Sequence, residues 1–305
     1  MKFLSEEDKV KVAEYQKGLG KYEKPSVTAD IVAVRPAYSE LKNGEWRENP
    51  KFALEIMLVK RGQWPHEGQW ALPGGFIKPT DESVEAGARR ELNEETALEP
   101  HPLIPVGVFS KRNRDMRAWI ISNAFVSVYR KGEGCDAKGG DDAAEAKWFR
   151  IESPLIINGT FRLPFLMDGK EAFALTGTYE KNDYDGGRIT SVEENPLAFD
   201  HAEIIAQAFL RMLAFDLRKL VFFFLPEEFT LSEYINIYLY LALEKFLPSI
   251  QKYGDYEEWY RNFIPNFRRQ LTETKDPILV STGKRGSANG RGHAAPMLYR
   301  RNPEN

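Results

Sequence analysis

The sequence predicts an α+β chain in which a layered domain with a mixed sheet is followed by a helix-rich segment. Three observations lead there. Strand-like runs rich in β-branched residues lie on both sides of one strongly marked helix near residues 83–96. The texture changes at Leu197, from where "LAFDHAEIIAQAFLRMLAFDLRKLVFFF" runs for more than 20 residues with few helix breakers. At 305 residues the chain also exceeds the comfortable size of one core. Two domains are therefore expected, 1–195 and 196–305, with 1–25 as a helical extension of the first.

Taken in order, residues 5–18 read as a short polar helix, and "SVTADIVAVRPAY" (26–38) and "FALEIMLVKR" (52–61) as strands separated by a polar loop. A Gly/Pro-rich turn, "WALPGGFIKPTDE", leads to a helix over about 83–96 with Ser83 as its N-cap. More strands are expected at "LIPVGVFS", "AWIISNAFVSVYR" and "GGDDAAEAKWFRI". Residues 156–196 mix short apolar groups with turn residues and suggest a small hairpin. "FTLSEYINIYLYLAL" (229–243) places Leu231, Tyr234, Ile235, Tyr238, Leu241 and Ala242 on one helical face, with Thr230 as cap. A polar, aromatic insert at 244–263 precedes a short basic helix, "NFRRQLTET", and two strand-like runs, "ILVST" and "PMLYRR", joined by a basic loop. Helix, helix, basic hairpin is the order of a winged helix-turn-helix.

With 42% hydrophobic and 29% charged residues, the composition fits a globular protein and excludes disordered and fibrous classes. Cys135 is the single cysteine, which rules out an intrachain disulfide and a cysteine-rich zinc site. No apolar run approaches the length of a membrane span, and a cytoplasmic location is expected. The net charge of −3 is unevenly spread: residues 265–305 carry eight Lys/Arg against three acids. A basic end on an acidic body suggests a polyanion partner at that end alone.

Glu91, Glu94 and Glu95 stand at i, i+3 and i+4, so a helix crowds them on one face. Mutual repulsion there is converted to coordination by a hard divalent cation, Mg²⁺ or Mn²⁺. Arg90 can brace Glu94, and the glycines at 74 and 75 let backbone approach a metal or phosphate, with the Gly75 carbonyl a further ligand. Such a site performs metal-assisted attack of water on a phosphoanhydride. A Glu-rich helix taken alone is more simply a solvated face; the upstream Gly-Gly-Phe, Glu82 and the flanking strands argue against that here.

Residues 74–98 resemble the Nudix box, G-x5-E-x7-R-E-U-x-E-E-x-G-U, where U is a bulky aliphatic residue. Glu82, Arg90, Glu91, Leu92, Glu94, Glu95 and Leu98 match. Counting back from Glu82 lands on Phe76, so the loop is one residue longer, placed at Pro79-Thr80, and Ala97 stands at the final glycine position. The resemblance implies a Nudix α/β/α sandwich with a mixed sheet for the first domain. It also implies catalytic roles for Glu91, Glu94, Glu95, Arg90 and Glu82, and metal binding by Glu91, Glu94, Glu95 and Gly75. "SKRNRDMRAWIISNAFVSV" (110–128) is similar to a segment of Nudix proteins that handle ADP-ribose. Gly74, Gly75, Phe76, Arg114, Arg117 and Trp119 are the ligand-binding candidates, although Trp119 opens a strand and equally well fills the core. "LAFDHAEII", "PEEFTLSE", "NFRRQL" and "GRGHAAPMLYR" extend the likeness over about residues 26–305, to Nudix-related transcriptional regulators with a C-terminal winged helix. His201 reads as a junction residue.

For the second domain the resemblance implies double-stranded DNA as partner and a homodimer, since two half-sites need two recognition helices. Arg268 and Arg269 on the short helix, with Lys284, Arg285 and Arg291 in the hairpin, are the DNA-binding candidates. A solvated basic tail on a dimerisation domain is the plainer alternative. Two functional readings follow. One is a regulator sensing ADP-ribose, which links it to NAD metabolism, or a related nucleotide sugar or a sugar. The other is a Mg²⁺-dependent hydrolase cleaving ADP-ribose to AMP and ribose 5-phosphate. The catalytic base stays open, with Asp141 or Asp142 as candidates.

Overall fold

A computed structural model describes residues 6–38, 52–99, 101–130, 132–134, 143–167, 169–182, 187–190, 192, 196–286 and 295–304. After α1 (Glu6–Gly18) come β1 (Ser26–Tyr38), β2 (Phe52–Arg61), β3 (Trp70–Ala71), β4 (Gly74–Phe76) and α2 (Val84–Thr96). Strands β5 (Leu103–Phe109), β6 (Ile120–Val128), β7 (Ala143–Ile151), β8 (Leu155–Ile157), β9 (Thr160–Met167), β10 (Lys170–Glu180) and β11 (Arg188–Thr190) follow. The C-terminal part contains α3 (His201–Ala214), α4 (Leu217–Phe224), β12 (Phe229–Thr230), α5 (Leu231–Leu241), α6 (Leu243–Tyr253), α7 (Tyr256–Thr272), β13 (Leu279–Arg285) and β14 (Met297–Arg301).

The large sheet has the order β11-β10-β9-β7-β2-β1-β6-β5, with β3 on β2, β4 on β1 and β8 on β9. It is mixed because β1 and β6 run parallel, whereas the other pairings among the described strands are antiparallel. Ala29, Ile31 and Ala33 of β1 alternate with Val32 and Val34, and both sets are fully buried. A strand covered on both faces needs apolar residues throughout, which is what "IVAV" supplies. One face carries α2, whose Ala88 and Leu92 pack with Ile31, Met57 and Phe125. The opposite face receives α3, whose Ile204, Ile205, Ala208 and Phe209 join Val32, Leu54, Ile56 and Phe149. The expected α+β sandwich with a mixed sheet is thus present.

The strand predictions at 26–38 and 52–61 coincide with β1 and β2. Residues 156–196 form more than a small hairpin: β8 to β11 extend the sheet as an antiparallel meander. The long helical run from Leu197 breaks at Phe215, where the chain turns extended and Asp216 caps α4 by accepting from the Arg218 N–H at 3.0 Å. Helix α5 begins with the expected Thr230 cap, strengthened by reciprocal bonding with Glu233. Residues 244–263 fold as α6 and the first turns of α7, so "NFRRQLTET" is the end of a 17-residue helix. Strands β12, β14 and β13 form a second sheet, in which β12 ties the start of α5 to the hairpin. No helix among the described residues is long and apolar enough to cross a membrane.

Candidate functional site

The first half of the site is built on α2. Ser83 caps the helix, its Oγ accepting the Ala86 N–H at 3.1 Å. The 3.6-residue period buries Ala88 and Leu92 against the sheet and turns Glu91, Glu94 and Glu95 toward β4. At Gly75 an added Cβ would lie 2.6 Å from a Glu91 carboxylate oxygen, so a side chain there would push that carboxylate aside. Gly74 has φ +153°, and its N–H donates to Glu95 Oε2 at 2.9 Å. The paired glycines therefore let the strand backbone lie directly against the carboxylates.

Arg90 organises this cluster. Its Nη1 donates to Glu94 Oε2 at 2.9 Å, the brace expected from their spacing, and also to Glu91. Its other nitrogens grip Asp81, Nε to Oδ1 at 3.0 Å and Nη2 to Oδ2 at 2.9 Å. Hydrogen bonding to Arg90 holds the Asp81 carboxyl down at about 2. Glu82, which matches the motif's acidic position, is exposed, and the Arg90 guanidinium pairs with the neighbouring Asp81. Asp81 lies six positions beyond Gly75, with five residues between them, so the loop from Gly75 has the motif's length. The extra residue falls between that acid and the helix, not at Pro79-Thr80. Burial pushes Glu95 up to about 8, against the Gly74 hydrogen bond and with help from the charges of Glu91 and Asp30.

The carboxylates and Gly75 form one wall of a pocket of about 340 Å³. Arg117 lies on another wall, paired with Asp115 at 2.7 Å and set near the rings of Phe76 and Phe199. Trp64, 68% exposed, and Phe199 add aromatic faces to the rim, while Lys60, Arg61 and Lys78 add positive charge. None of these five was singled out from sequence. The signal was present in "KRGQWPHEGQW", a Gly/Pro-rich turn that spends a tryptophan on an exposed position. Of the ligand-binding candidates, Gly74, Gly75, Phe76, Arg114 and Arg117 line the pocket. Trp119 does not; it lies beneath the Arg112 guanidinium, 4.2 Å from its ring, at the mouth of β6.

Arg114 lines the pocket but is buried, its charge already spoken for. Nε and Nη2 grip the two Asp200 oxygens at 2.8 and 2.6 Å, and Nη2 also reaches Asp30 at 3.3 Å. Burial works against this charge, yet the Asp200, Asp30 and Asp115 carboxylates outweigh it and raise the pKa. Asp30 additionally accepts from Ser122. His201 is buried beside them, its Nδ1 accepting the Leu72 N–H at 2.8 Å, and burial lowers its pKa. His201 is thus neutral and fastens α3 to the strand that precedes Gly74, as a junction residue should.

At the other end of the molecule, Arg268 and Arg269 are exposed on α7, which packs on β13. Lys284 on β13 is paired with Glu228 at 2.6 Å, and Arg285 donates to the Ala295 carbonyl at 2.8 Å. Arg291 lies outside the described residues, as do Asp141 and Asp142.

Residues 47–166 match the NUDIX domain model. That stretch of the chain carries a Nudix domain. An ADP-ribose pyrophosphatase of Methanocaldococcus jannaschii is 41% identical over 99 residues, 32% of this chain and 56% of that protein. The chain thus spans just over half the length of that Nudix relative. A second relative matches further along: the ADPR responsive transcriptional repressor NtrR of Acinetobacter baylyi is 24% identical over 75% of this chain and 74% of its own. Among solved structures, a MutT/nudix family protein from Enterococcus faecalis shares the fold over 99% of this chain and 100% of its own, with a TM-score of 0.55 at 22% identity.

The Nudix helix offers a donor set that fits a hard divalent cation in kind: three carboxylates and the backbone of a glycine that no side chain obstructs. Arg90 and Lys78 currently occupy part of their hydrogen-bonding capacity. Among the described residues no three His, Cys, Asp or Glu side chains are gathered for a metal without rearrangement.

Proposed function

We propose that this chain is a ligand-responsive transcriptional regulator: its Nudix pocket binds ADP-ribose or a related nucleotide sugar, and its winged helix binds double-stranded DNA as a homodimer. The observation that carries the reading is the pocket's combination of exposed aromatic faces with cationic side chains, in one chain with a basic helix and hairpin. Trp64, Phe76 and Phe199 suit stacking on a base; Arg117, Arg61, Lys60 and Lys78 suit a diphosphate. Glu91, Glu94, Glu95 and the Gly75 carbonyl would hold Mg²⁺ or Mn²⁺. A bound divalent cation would neutralise diphosphate charge beside these carboxylates. Arg268 and Arg269 on α7, with Lys284, Arg285 and Arg291 on the wing, would contact phosphates and groove edges.

A second reading is supported by the retained Glu91, Glu94 and Glu95: a Mg²⁺-dependent hydrolase splitting ADP-ribose to AMP and ribose 5-phosphate. In it Arg90 orients the carboxylates and Asp81 fixes Arg90. One experiment separates the readings. The full chain is incubated with ADP-ribose and Mg²⁺, stabilisation against heat and released AMP are measured, and the same protein is passed over a random operator library at low salt. A regulator is stabilised, enriches a sequence and releases that DNA when ADP-ribose is added. Absence of both stabilisation and enrichment refutes it, and AMP release lost in Glu94→Gln establishes the hydrolase.

A further inference from the structure

Strand β1 turns successive side chains to opposite faces. Thr28 and Asp30 therefore share with Val32 the face that α3 covers, whereas Ala29 and Ile31 face α2. The register sets Thr28 beside Phe76 of β4 on one side and Ser122 of β6 on the other. Thr28 lines the Nudix pocket and is 6% exposed, and its Oγ1 is buried with no hydrogen-bond partner among the described residues. A buried hydroxyl left without a partner is costly and calls for an explanation.

The buried polar groups around it are already engaged. Asp30 accepts from Ser122 and, at 3.3 Å, from Arg114, which grips Asp200 at 2.6 Å. Asp115 accepts the Arg117 N–H at 2.9 Å and the Arg117 Nη2 at 2.7 Å. The charges of this floor are thus committed to one another, and Thr28 brings unused donor and acceptor capacity to it. A turn about χ1 exchanges the hydroxyl with the methyl on the same Cβ, so Oγ1 can meet a molecule in the pocket. Register narrows what it meets. Glu91 packs on Gly75, which stands opposite Ala29 and so one residue out of phase with the Thr28–Phe76 pair. A diphosphate at the carboxylates and a group at Thr28 are therefore different parts of one ligand. A base needs apolar faces, which the exposed Trp64 offers at the rim. A neutral hydroxyl among committed charges suits the hydroxyl of a sugar, which also both donates and accepts.

We propose that Thr28 determines specificity for the sugar beyond the diphosphate, its hydroxyl bonding a hydroxyl of that sugar. The inference rests on the reading of this pocket as a nucleotide-sugar site. It is tested on the full chain, on Thr28→Val, which keeps the shape and removes the hydroxyl, and on Thr28→Ser, which keeps the hydroxyl. Calorimetry with Mg²⁺ measures binding of ADP-ribose and of ADP, each carrying a methylene group in place of the bridging oxygen so that neither is cleaved. Thermal unfolding without ligand is followed in parallel. The unaltered chain is expected to bind the ADP-ribose analogue more tightly than the ADP analogue. Thr28→Val should weaken the ADP-ribose analogue about tenfold and leave the ADP analogue unchanged, while Thr28→Ser binds as the unaltered chain does. Thr28→Val should melt no lower than the unaltered chain, because the hydroxyl has no partner in the fold to lose. An unchanged affinity in Thr28→Val, equal losses for the two analogues, a Ser variant as weak as the Val variant, or an unaltered chain that does not distinguish the analogues overturns this inference and leaves a nucleotide pocket standing. A lower melting temperature in Thr28→Val also overturns it, since the hydroxyl then serves the fold. Binding of neither analogue by the unaltered chain overturns the nucleotide-sugar reading together with it.

Discussion

Ala97 closes the Nudix helix in a left-handed conformation, φ 56° and ψ 15°, where the family pattern has glycine. Its N–H still reaches the Asn93 carbonyl at 2.8 Å, so the cap forms and the Cβ bears the cost. Ala97→Gly is expected to stabilise the protein by about 1 kcal/mol, read by urea unfolding. Glu95 makes a second prediction. Its folded pKa of about 8 lies above the 4.5 of a free glutamate carboxyl, so the folded state binds the extra proton between them. That contribution is complete below 4.5 and is lost as pH rises through 8. Without divalent ions, stability should decline over this window, and Glu95→Gln should flatten the decline; a Gln variant with an unchanged slope refutes the assignment. The carboxylates, glycines and Arg90 were legible because motif spacing maps directly onto one helix face. Asp81 was not: two adjacent acids, Asp81 and Glu82, are equivalent in a sequence, and only the loop's path decides which one meets Arg90.

Among the elements, those whose pattern is self-contained were the readable ones. β1, β2 and α2 carry their period and caps within a dozen residues. The meander from β8 to β11 was obscured because its strands are short and turn at glycines, so neither period has room to establish itself. The helices over 244–263 were hidden by Gly254 and Pro248; Gly254 ends α6 in a left-handed turn, and Asp255 immediately caps the next helix. The pairing of Arg114 with Asp200 could not be read along the chain, because 86 residues separate them. Their contact joins the loop before β6 to the start of α3. Either Arg114→Met or Asp200→Asn should cost about 3 kcal/mol, since each takes from a buried charge its nearest opposite charge. The double variant should cost at least about 1 kcal/mol less than the sum. Additive losses in thermal or urea unfolding would mean that the two side chains act independently.

Across the whole molecule, the largest buried cluster runs without interruption from Val32 and Leu54 in the sheet through Phe209 and Phe224 to Phe267 and Leu279. The sheet, α3 and the helices behind the wing therefore share apolar surface that none of them could expose alone. This continuity could not be read along the chain, where the change of texture at Leu197 suggests a division near Asn195. Residues 193–195 themselves lie outside the described residues. The fold class and the order of elements around the wing were nevertheless legible, because capping boxes, basic residues and strand periods are local.

The Arg114–Asp200 contact also sets where the chain can be cut. A fragment ending at 195 keeps Arg114, Asp30 and the Nudix helix but deletes Asp200 and His201, and uncovers the face of β1 that α3 occupies. It should be insoluble or unfold well below the full chain, whereas a fragment continuing through Ala214 should fold. Equal melting temperatures for the two would show that α3 is dispensable to the sheet. For anyone preparing the ligand-binding half alone, the first helix after the apparent boundary belongs with what precedes it.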